Sequence, residues 1–325
     1  MRSEVRKPLK IGVIMDPIER IDINKDTTFV LMLEAQKRNH DLYYMELKDL
    51  SVRGRTPEGR SCRVSVRRAA PHYRVEPSVS KPLSWFDVIF MRKDPPFDMN
   101  YFFATHLLSL VDEKKCLVVN HPLGLREANE KLYALNFLGL IPETLVSSDT
   151  AKLKKFMEEQ GGEMVIKPLD GCGGAGVFYL HRKDRNINAL LEAATLNGQK
   201  MIMAQRYIPE VRKGDKRIMV LDGEPLGALL RIPREDENRS NLHVGGKAAK
   251  TALTARDREI CRVMAPSLKK LGLYFVGLDV IGGYLTEVNV TSPTGVQEIN
   301  ALNHVALEAQ IIDSVERKAA KLRRS

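Results

Sequence analysis

Residues 165–180 read VIKPLDGCGGAGVFYL, and four of the six residues from 171 to 176 are glycines. Glycine loses more backbone entropy on folding than any other residue, so this density indicates that something must approach the bare backbone. The residues that follow, VFYL, are β-branched and aromatic and predict a strand. The glycines therefore join two strands, whereas a P-loop and a dinucleotide-binding fingerprint both lead from a strand into a helix.

A hairpin tip that lacks side chains allows several backbone N–H groups to approach an anion closely. Lys167 lies on the strand that enters the tip and supplies the point charge that a polyphosphate needs. The structural alternative is a long surface hairpin whose glycines only make the turn. The first interpretation predicts a phosphate-binding loop.

A second hairpin is predicted at residues 277–290, GLDVIGGYLTEVNV. Side chains alternate along a strand, so Glu287 and Asn289 lie on one face of theirs, with Asp279 across the turn. Two oxygen ligands side by side and a facing carboxylate suit Mg²⁺, which leaves its other positions to water and substrate phosphates. The alternative is a solvated edge strand that carries acids.

The length of this second turn decides whether the two carboxylates can share a metal. A two-residue turn over residues 282–283 would pair Asp279 with Thr286 and point it away from Glu287. We therefore predict a three-residue loop over residues 282–284, which pairs Asp279 directly with Glu287.

The N-terminal part of the chain alternates predicted strands with a predicted helix, which implies a parallel sheet with helices on its faces. Ligands of such sheets gather beyond the carboxyl ends of the strands. Asp16 and Arg92 each follow a predicted strand there, with plain turn chemistry of the neighbouring Asp-Pro pairs as the alternative. A change of composition near Asn120 predicts a domain boundary.

The remaining elements are predicted from periodicity and from turn residues. The predicted strands are 10–15, 41–47, 85–91, 116–120, 201–206, 217–221 and 226–231. The predicted helices are 25–40 (capped by Thr27 or Thr28), 126–135, 151–159, 187–197 and one long amphipathic helix that reaches the tail.

The 325 residues carry a formal net charge of +10, and its distribution is uneven. Seven arginines but one acid fall within residues 53–74, and the C-terminal tail is also basic. Neither segment interleaves aromatic residues as a base-stacking surface does. We interpret them as a solvated basic loop and a frayed helix end, with attraction of a polyanionic substrate or non-specific RNA contact as the alternative.

The sequence shows no export signal and no apolar run near the roughly 18 residues that suggest a membrane span. Four scattered cysteines without CxxC spacing argue against a structural zinc site and suit a reducing compartment. We therefore expect a cytoplasmic protein.

Five segments occur in an order that resembles bacterial glutathione synthetases of the ATP-grasp superfamily. They are MRKDPPFD (91–98), NEKLYAL (129–135), VIKPLDGCGGAGVF (165–178), GDKRIMVLDGEP (214–225) and VGLDVIGGYLTEVNVTSPTG (276–295). The resemblance implies an α/β (α+β) fold in which an N-terminal parallel-sheet pre-ATP-grasp domain (1–122) precedes a two-subdomain ATP-grasp fold. The central subdomain (123–204) would carry the glycine-rich loop, and the C-terminal subdomain (205–325) the metal site and a lid.

The same resemblance implies an ATP-dependent ligase that joins γ-glutamylcysteine to glycine through an acyl phosphate and releases ADP and phosphate. It implies ATP and Mg²⁺ as cofactors, with Mn²⁺ as an alternative metal, and a homotetramer without membrane or specific nucleic-acid partners. One rival is another ATP-grasp carboxylate–amine ligase with a different peptide or amine. The other is a non-catalytic basic binding protein on the same fold.

The resemblance also implies roles for individual residues, matched by position. The nucleotide would contact Lys131, Lys167, Gly171, Gly173, Gly174, Gly176, Gln205, Tyr207, Ile208 and Asp215. The metal ligands would be Asp279, Glu287 and Asn289, and the catalytic cations Arg217 and Arg231. The substrate site would contain Asp16, Arg92, Asn241, Ser292 and Thr294, close to the free N–H groups that begin the last helix. Residues 232–247 would form the lid.

Two positions depart from the pattern of the family. Cys172 stands inside the glycine tip, where this chemistry needs no thiol; we interpret it as a tolerated side chain, with a redox sensor as the alternative. His243, within LHVGG of the expected lid, replaces a small residue and would alter closure or substrate preference.

Overall fold

The computed structural model describes residues 7–236 and 245–324. In these parts of the chain the strands form three sheets, which follow one another along the sequence. The expected domain limits, 1–122, 123–204 and 205–325, stay a prediction.

The first sheet is built on parallel strands, as predicted. It contains β1 (Lys10–Ile14), β2 (Asp41–Met45), β3 (Leu50–Arg53), β4 (Thr56–Val66), β5 (Tyr73–Val75), β6 (Val79–Pro82), β7 (Val88–Met91) and β8 (Leu117–Val119). Strand β1 runs parallel to β2 and β7, and β7 runs parallel to β8. The sheet order is β3-β4-β2-β1-β7-β8, with β5 and β6 paired to β4. Helix α1 (Thr27–Lys37) follows β1, and α2 (Met99–Leu108) follows β7.

The predicted cap of α1, Thr27 or Thr28, is wrong by one or two positions. The side chain of Asp26 accepts the N–H of Phe29, while Thr27 and Thr28 lie inside the helix and are buried. Aspartate is a strong N-cap because its carboxylate satisfies an N–H group that has no partner within the helix.

The arginine-rich residues 53–74 do not form the predicted solvated loop. They contribute β4, an eleven-residue strand that pairs with β2, β3, β5 and β6. Buried and exposed residues largely alternate along β4, and both of its arginines are exposed. Arg60 and Arg63 pair there with Asp49 and Asp41. The prediction of a loop relied on the density of arginines, whereas the alternation of apolar and polar residues, with a period of two, indicates a half-buried strand.

The link to the second sheet also differs from the prediction. Instead of one helix over 126–135, the chain forms α3 (Pro122–Glu127) and a 3₁₀ turn at Leu132–Asn136. The Asn129 side chain accepts the backbone N–H groups of Lys131 and Leu132. Asparagine competes in this way with the helical hydrogen-bond pattern and interrupts the helix.

The second sheet contains β9 (Thr144–Ser147), β10 (Glu163–Pro168), β11 (Phe178–His181) and β12 (Ile202–Arg206), in the order β11-β10-β12-β9. All its pairs are antiparallel. Helices α4 (Thr150–Glu159) and α5 (Ile187–Ala194) belong to this part of the chain, close to their predicted positions.

The third sheet is antiparallel and contains the predicted metal hairpin. Its strands are β13 (Asp215–Leu221), β14 (Glu224–Ile232), β15 (Lys247–Lys250), β16 (Phe275–Ile281) and β17 (Tyr284–Asn289), in the order β15-β14-β13-β16-β17. Helix α6 (Ala255–Lys270) precedes β16.

The last helix is two helices, which corrects the prediction of one. Helix α7 (Val296–Asn303) ends at His304, whose φ of 55° is left-handed, and α8 (Leu307–Leu322) follows. A left-handed residue terminates a helix because the chain cannot continue the right-handed path through it.

The hydrophobic cores explain how the sheets are held together. Ile14 and Met91 of the first sheet share a cluster with Ile218 and Val276 of the third. The second sheet buries a separate cluster around α4, α5 and β10. The first and third sheets therefore form one packed body, and the second sheet is a lobe with its own core.

Candidate active site

The glycine-rich segment forms the predicted hairpin tip. Strands β10 and β11 are antiparallel, and Ile166 pairs with Phe178 at the mouth of the loop. Gly173, Gly174 and Gly176 have φ values of 62°, 81° and 71°, a region that residues with a Cβ rarely adopt. The sequence therefore needs glycine here for its backbone conformation.

Two lysines stand beside this loop. The ammonium of Lys131 donates to the carbonyl oxygen of Gly171 at 2.7 Å and lies 3.8 Å from Glu287 Oε1. Lys167 is buried on β10, and burial lowers the pKa of its ammonium. Burial penalises a charge without a close counter-ion, so an incoming anion would stabilise both lysines.

The metal hairpin pairs Asp279 with Glu287 as predicted, but by a different route. The turn is the two-residue Gly282-Gly283 turn, since Ile281 pairs with Tyr284, so the predicted three-residue loop is wrong. The register then shifts between Asp279 and Val280, because Thr286 is an extra residue in β17. Such a bulge places two residues opposite one and restores the facing carboxylates.

The third proposed metal ligand also lies on this hairpin. Asn289 pairs with Gly277, and its amide nitrogen donates to the Gly277 carbonyl oxygen at 3.3 Å. Because the nitrogen is the donor there, the amide oxygen is the atom that remains for a cation. Two carboxylates and an amide oxygen are hard donors of the kind that Mg²⁺ takes, so these residues fit that ion. Among residues 7–236 and 245–324, no group of three or more His, Cys, Asp or Glu side chains is placed to hold a metal ion, so the fit here rests on two carboxylates and one amide oxygen.

Arg217 on β13, the strand beside Asp279, and Arg231 on β14, one strand further, converge on Asp279. Nη2 of Arg217 lies 3.0 Å and Nη2 of Arg231 lies 2.9 Å from Asp279 Oδ2, and Arg231 also pairs with Asp215. All four side chains are buried, so these are not the surface pairs that arginines on strands usually make. Burial alone would raise the pKa of Asp279, but the two guanidinium groups outweigh it and hold that pKa well below its usual range. Burial raises the pKa of Asp215 despite Arg231.

One pocket lies between the second and third sheets and brings together most of the proposed nucleotide contacts. It is lined by Lys167, Gly174, Gln205, Tyr207, Ile208 and Asp215, and by the proposed metal ligands Asp279 and Glu287. The amide of Gln205 is buried and donates to Thr144 Oγ1 at 3.1 Å.

The sequence analysis missed the apolar walls of this pocket. They are Val165, Val177, Tyr179, Val211 and Ile281. The rings of Tyr179 and Tyr207 lie 4.5 Å apart between centroids. A signal existed for Val165, because it shares the face of β10 with Lys167 two residues later. Such flat apolar walls suit an aromatic base.

A second cavity, of about 330 Å³, adjoins the metal hairpin on the side of the first domain. Its lining includes Arg217, Arg231, Glu287, Asn289, Ser292, Thr294 and the loop residues Cys172 and Gly173. Asp94 and Pro95 enter from the first domain. The proposed cations therefore share one space with two of the proposed metal ligands, Glu287 and Asn289, and with Ser292 and Thr294 of the proposed substrate residues. Asp279 lines the first pocket instead.

Two proposed substrate residues stand behind this cavity rather than among its described lining. The guanidinium of Arg92 is buried and donates to Thr28 Oγ1 at 3.1 Å and to the Pro293 carbonyl oxygen at 3.0 Å. Asp16 pairs with Lys93 at 2.9 Å and accepts the N–H of Asp94 at 2.8 Å. Both residues support segments that do reach the cavity.

Two residues of the expected lid, Asn241 and His243, lie outside the described residues. Strand β14 ends at Ile232 and strand β15 begins at Lys247, the first and last residues of the expected lid.

Glu130 is a further residue that the sequence analysis passed over. Its carboxylate accepts the hydroxyl of Thr291 at 3.2 Å and lines the second cavity. Burial, with the negative charge of Glu287 nearby, raises the pKa of Glu130 to about 7. Its position directly before Lys131 was the available signal.

Cys172 is exposed at the glycine tip, whereas Cys116 and Cys261 are buried and Cys62 is half-buried. Burial of its sulfur among the loop atoms nevertheless raises the pKa of the Cys172 thiol. A raised pKa disfavours the reactive thiolate, which agrees with a tolerated side chain.

Comparisons with known proteins agree with this geometry. Residues 9–126 match the family model of the prokaryotic glutathione synthetase N-terminal domain, and residues 130–304 match that of its ATP-grasp domain. A glutathione synthetase of Gloeobacter violaceus is 49% identical over 311 residues, which cover 94% of this chain and 96% of the relative. One of Coxiella burnetii is 48% identical, with 96% and 98% covered.

The fold is shared with a solved ATP-grasp ligase, PsnB, in complex with a precursor variant, Mg and ADP. The TM-score is 0.61 at 16% identity, and the alignment covers 96% of this chain and 99% of that one. Over the part of the chain that the structure describes, helices long and apolar enough to cross a bilayer are absent.

Proposed function

This chain belongs to the prokaryotic glutathione synthetase family, and from that premise we propose that it is an ATP-dependent ligase that joins γ-glutamylcysteine to glycine. The products are glutathione, ADP and phosphate. The observation that carries the proposal is the meeting of the glycine loop, Lys167 and the Asp279–Glu287 pair at one pocket.

We propose that ATP lies between the second and third sheets. Its base would sit between the apolar walls near Gln205, Tyr207 and Ile208, with the ribose beside Asp215. Its phosphates would meet Lys131 and Lys167 and the backbone N–H groups of the loop at Gly171, Gly173, Gly174 and Gly176. Backbone amides aimed at one point bind phosphate without any side chain.

Asp279, Glu287 and Asn289 would hold Mg²⁺ together with the ATP phosphates, and Mn²⁺ is an alternative ion at the same oxygen ligands. The ion supplies charge neutralisation and in-line orientation of the phosphoryl group. Arg217 and Arg231 contact the carboxylate of Asp279, so part of its negative charge is already balanced by the protein itself.

The reaction needs no protein nucleophile. The substrate carboxylate oxygen attacks the γ-phosphorus, and the bond between the γ-phosphorus and the oxygen that bridges it to the β-phosphate breaks. ADP departs, and the substrate has become an acyl phosphate. The glycine nitrogen then attacks the acyl carbon, phosphate departs, and the amine loses a proton. We assign Arg217 and Arg231 to the negative charge that develops in both steps, since both line the second cavity.

The peptide would occupy the second cavity. Ser292 and Thr294 line it, and the first turn of α7 offers free N–H groups for a carboxylate. Arg92 and Asp16 would act from behind through Pro293 and Asp94, and Asn241 would join them from the lid. A homotetramer stays a proposal that rests on the family resemblance, and a cytoplasmic location stays a proposal that rests on the scattered cysteines.

The assay that tests this function measures ADP release with γ-glutamylcysteine alone, glycine alone and the two together. Release that requires both, with formation of glutathione by mass spectrometry, supports the proposal. Release with a different peptide or amine only would identify another carboxylate–amine ligase. No ADP release in any combination would favour a non-catalytic binding protein with the fold of a ligase.

A further inference from the structure

Three consecutive residues, 129–131, touch both hairpins of the site. The Asn129 amide nitrogen donates to the Leu169 carbonyl oxygen at 3.0 Å, at the root of the glycine loop. Its amide oxygen accepts the backbone N–H groups of Lys131 and Leu132, each at 3.0 Å. The side chain of Asn129 thus joins the root of the glycine loop to the backbone of Lys131.

The contacts on either side make this junction more specific. Lys131 donates from its ammonium to Gly171, two residues beyond Leu169, at 2.7 Å. The carbonyl oxygen of Glu130 accepts the N–H of Val288 on β17 at 2.8 Å. The loop root is therefore held at two points, and the segment that holds it is itself fixed to the metal strand.

From these contacts we propose that Asn129 is a positioning residue, which sets the root of the glycine loop relative to the ammonium of Lys131. It acts through Lys131 and Leu169. The consequence for ATP binding rests on the function proposed above. Only an amide fits this position, because it donates and accepts from one planar group, whereas a carboxylate only accepts and alanine does neither.

The first test concerns the loop alone and needs no activity. We compare Asn129→Ala and Asn129→Asp with Asn136→Ala, whose side chain donates to the Tyr133 carbonyl oxygen at 3.0 Å in the adjoining 3₁₀ turn. Amide hydrogen exchange is measured without nucleotide. We expect exchange of residues 169–176 to quicken about tenfold in both Asn129 variants and not in the control. Unchanged exchange would overturn the proposal whatever the enzyme catalyses.

The second test separates positioning from general damage. We expect the Kd of a non-hydrolysable ATP analogue and the KM for ATP to rise about tenfold in Asn129→Ala, while the KM values for peptide and glycine stay within about twofold. An equal rise of all three KM values would contradict positioning. Asn129→Asp retains the two accepted N–H bonds, so it keeps the test valid if the alanine variant does not fold.

If loop exchange is faster in the Asn129 variants but the wild-type protein has no ligase activity, the inference holds and the proposed function fails. If the wild-type protein is a fully active ligase but loop exchange is unaltered in the variants, the proposed function holds and the inference fails.

Discussion

Lys131, Lys167 and Glu287 come from three separate segments of the chain and meet at one site. Each carries a charge that is half or fully removed from water, which is costly unless a partner is supplied. The Lys131–Glu287 pair and the two arginines on Asp279 balance part of the charge at this site. Magnesium triphosphate would complete the balance, because it brings both signs together.

Glu287 is the residue whose loss should affect the metal most directly. We expect Glu287→Gln to lower kcat at least about 100-fold, since one charged oxygen ligand becomes neutral. Thermal unfolding should change little, because the amide has the same shape. Glu259→Gln is the control: that carboxylate pairs with Arg256 at 2.9 Å on the exposed side of α6. Near-normal turnover in Glu287→Gln would remove Glu287 from the metal site.

Glu130 predicts a pH dependence of stability. Its pKa in the folded protein, about 7, lies above the ordinary value of 4.5, so the folded state holds a proton that the unfolded state releases. This contribution is present below about pH 4.5 and is lost as the pH rises to about 7. We expect the unfolding free energy of Glu130→Gln to rise above that of the wild type by up to about 3 kcal/mol as the pH increases across that window. Urea unfolding at several pH values without ATP or Mg²⁺ measures it, and parallel profiles would contradict it.

At the scale of elements, the two hairpins show what a sequence pattern can and cannot decide. The glycine hairpin was predictable because its flanking residues are strand formers and its glycines exclude a helix. The pairing of Asp279 with Glu287 across the second hairpin was also predictable, because two facing carboxylates suit a shared Mg²⁺. The bulge was not, because an extra residue such as Thr286 leaves the alternation of the strand locally ambiguous. The helix predicted across Asn129 failed for a similar local reason, since periodicity ignores a side chain that bonds its own backbone.

Thr286 offers a test of that bulge. Its hydroxyl donates to the Asp279 carbonyl oxygen at 3.1 Å, and the residue is buried. We expect Thr286→Val to cost about 1 kcal/mol of unfolding free energy and to raise the Mg²⁺ concentration for half-maximal activity several-fold, because the carbonyl loses its partner. Thr286→Ser keeps the hydroxyl and should retain the wild-type Mg²⁺ requirement. A valine variant with that same requirement would separate the bulge from metal binding.

For the whole molecule, the shared cores of the first and third sheets were beyond sequence reasoning. Composition indicated a boundary near Asn120, yet Asn120 itself forms hydrogen bonds that connect the first sheet to the third. Its amide donates to the carbonyl oxygens of Phe275 and Val290, both at 2.8 Å, and accepts the N–H of Phe275 at 2.8 Å. Long-range partners of this kind, 155 and 170 residues away, leave no periodic trace in the sequence.

Asn120→Ala should therefore act on global stability. Three buried backbone groups lose their partner at once, so we expect a loss of about 3 kcal/mol in unfolding free energy. Chemical denaturation followed by circular dichroism measures it, with the exposed Asn136→Ala as the control. A loss under about 0.5 kcal/mol would show that the two parts are held together by their apolar contacts alone.

The lone exposed thiol at the glycine tip has a practical consequence. A maleimide dye at mildly alkaline pH should attach first to Cys172, since Cys116 and Cys261 are shielded from solvent and Cys62 is partly covered. The label would sit at the rim of the second cavity. Because Cys172 also belongs to the glycine loop that we propose binds the ATP phosphates, we expect the dye's emission to change when nucleotide binds, so the native sequence already holds an attachment site for an optical reporter.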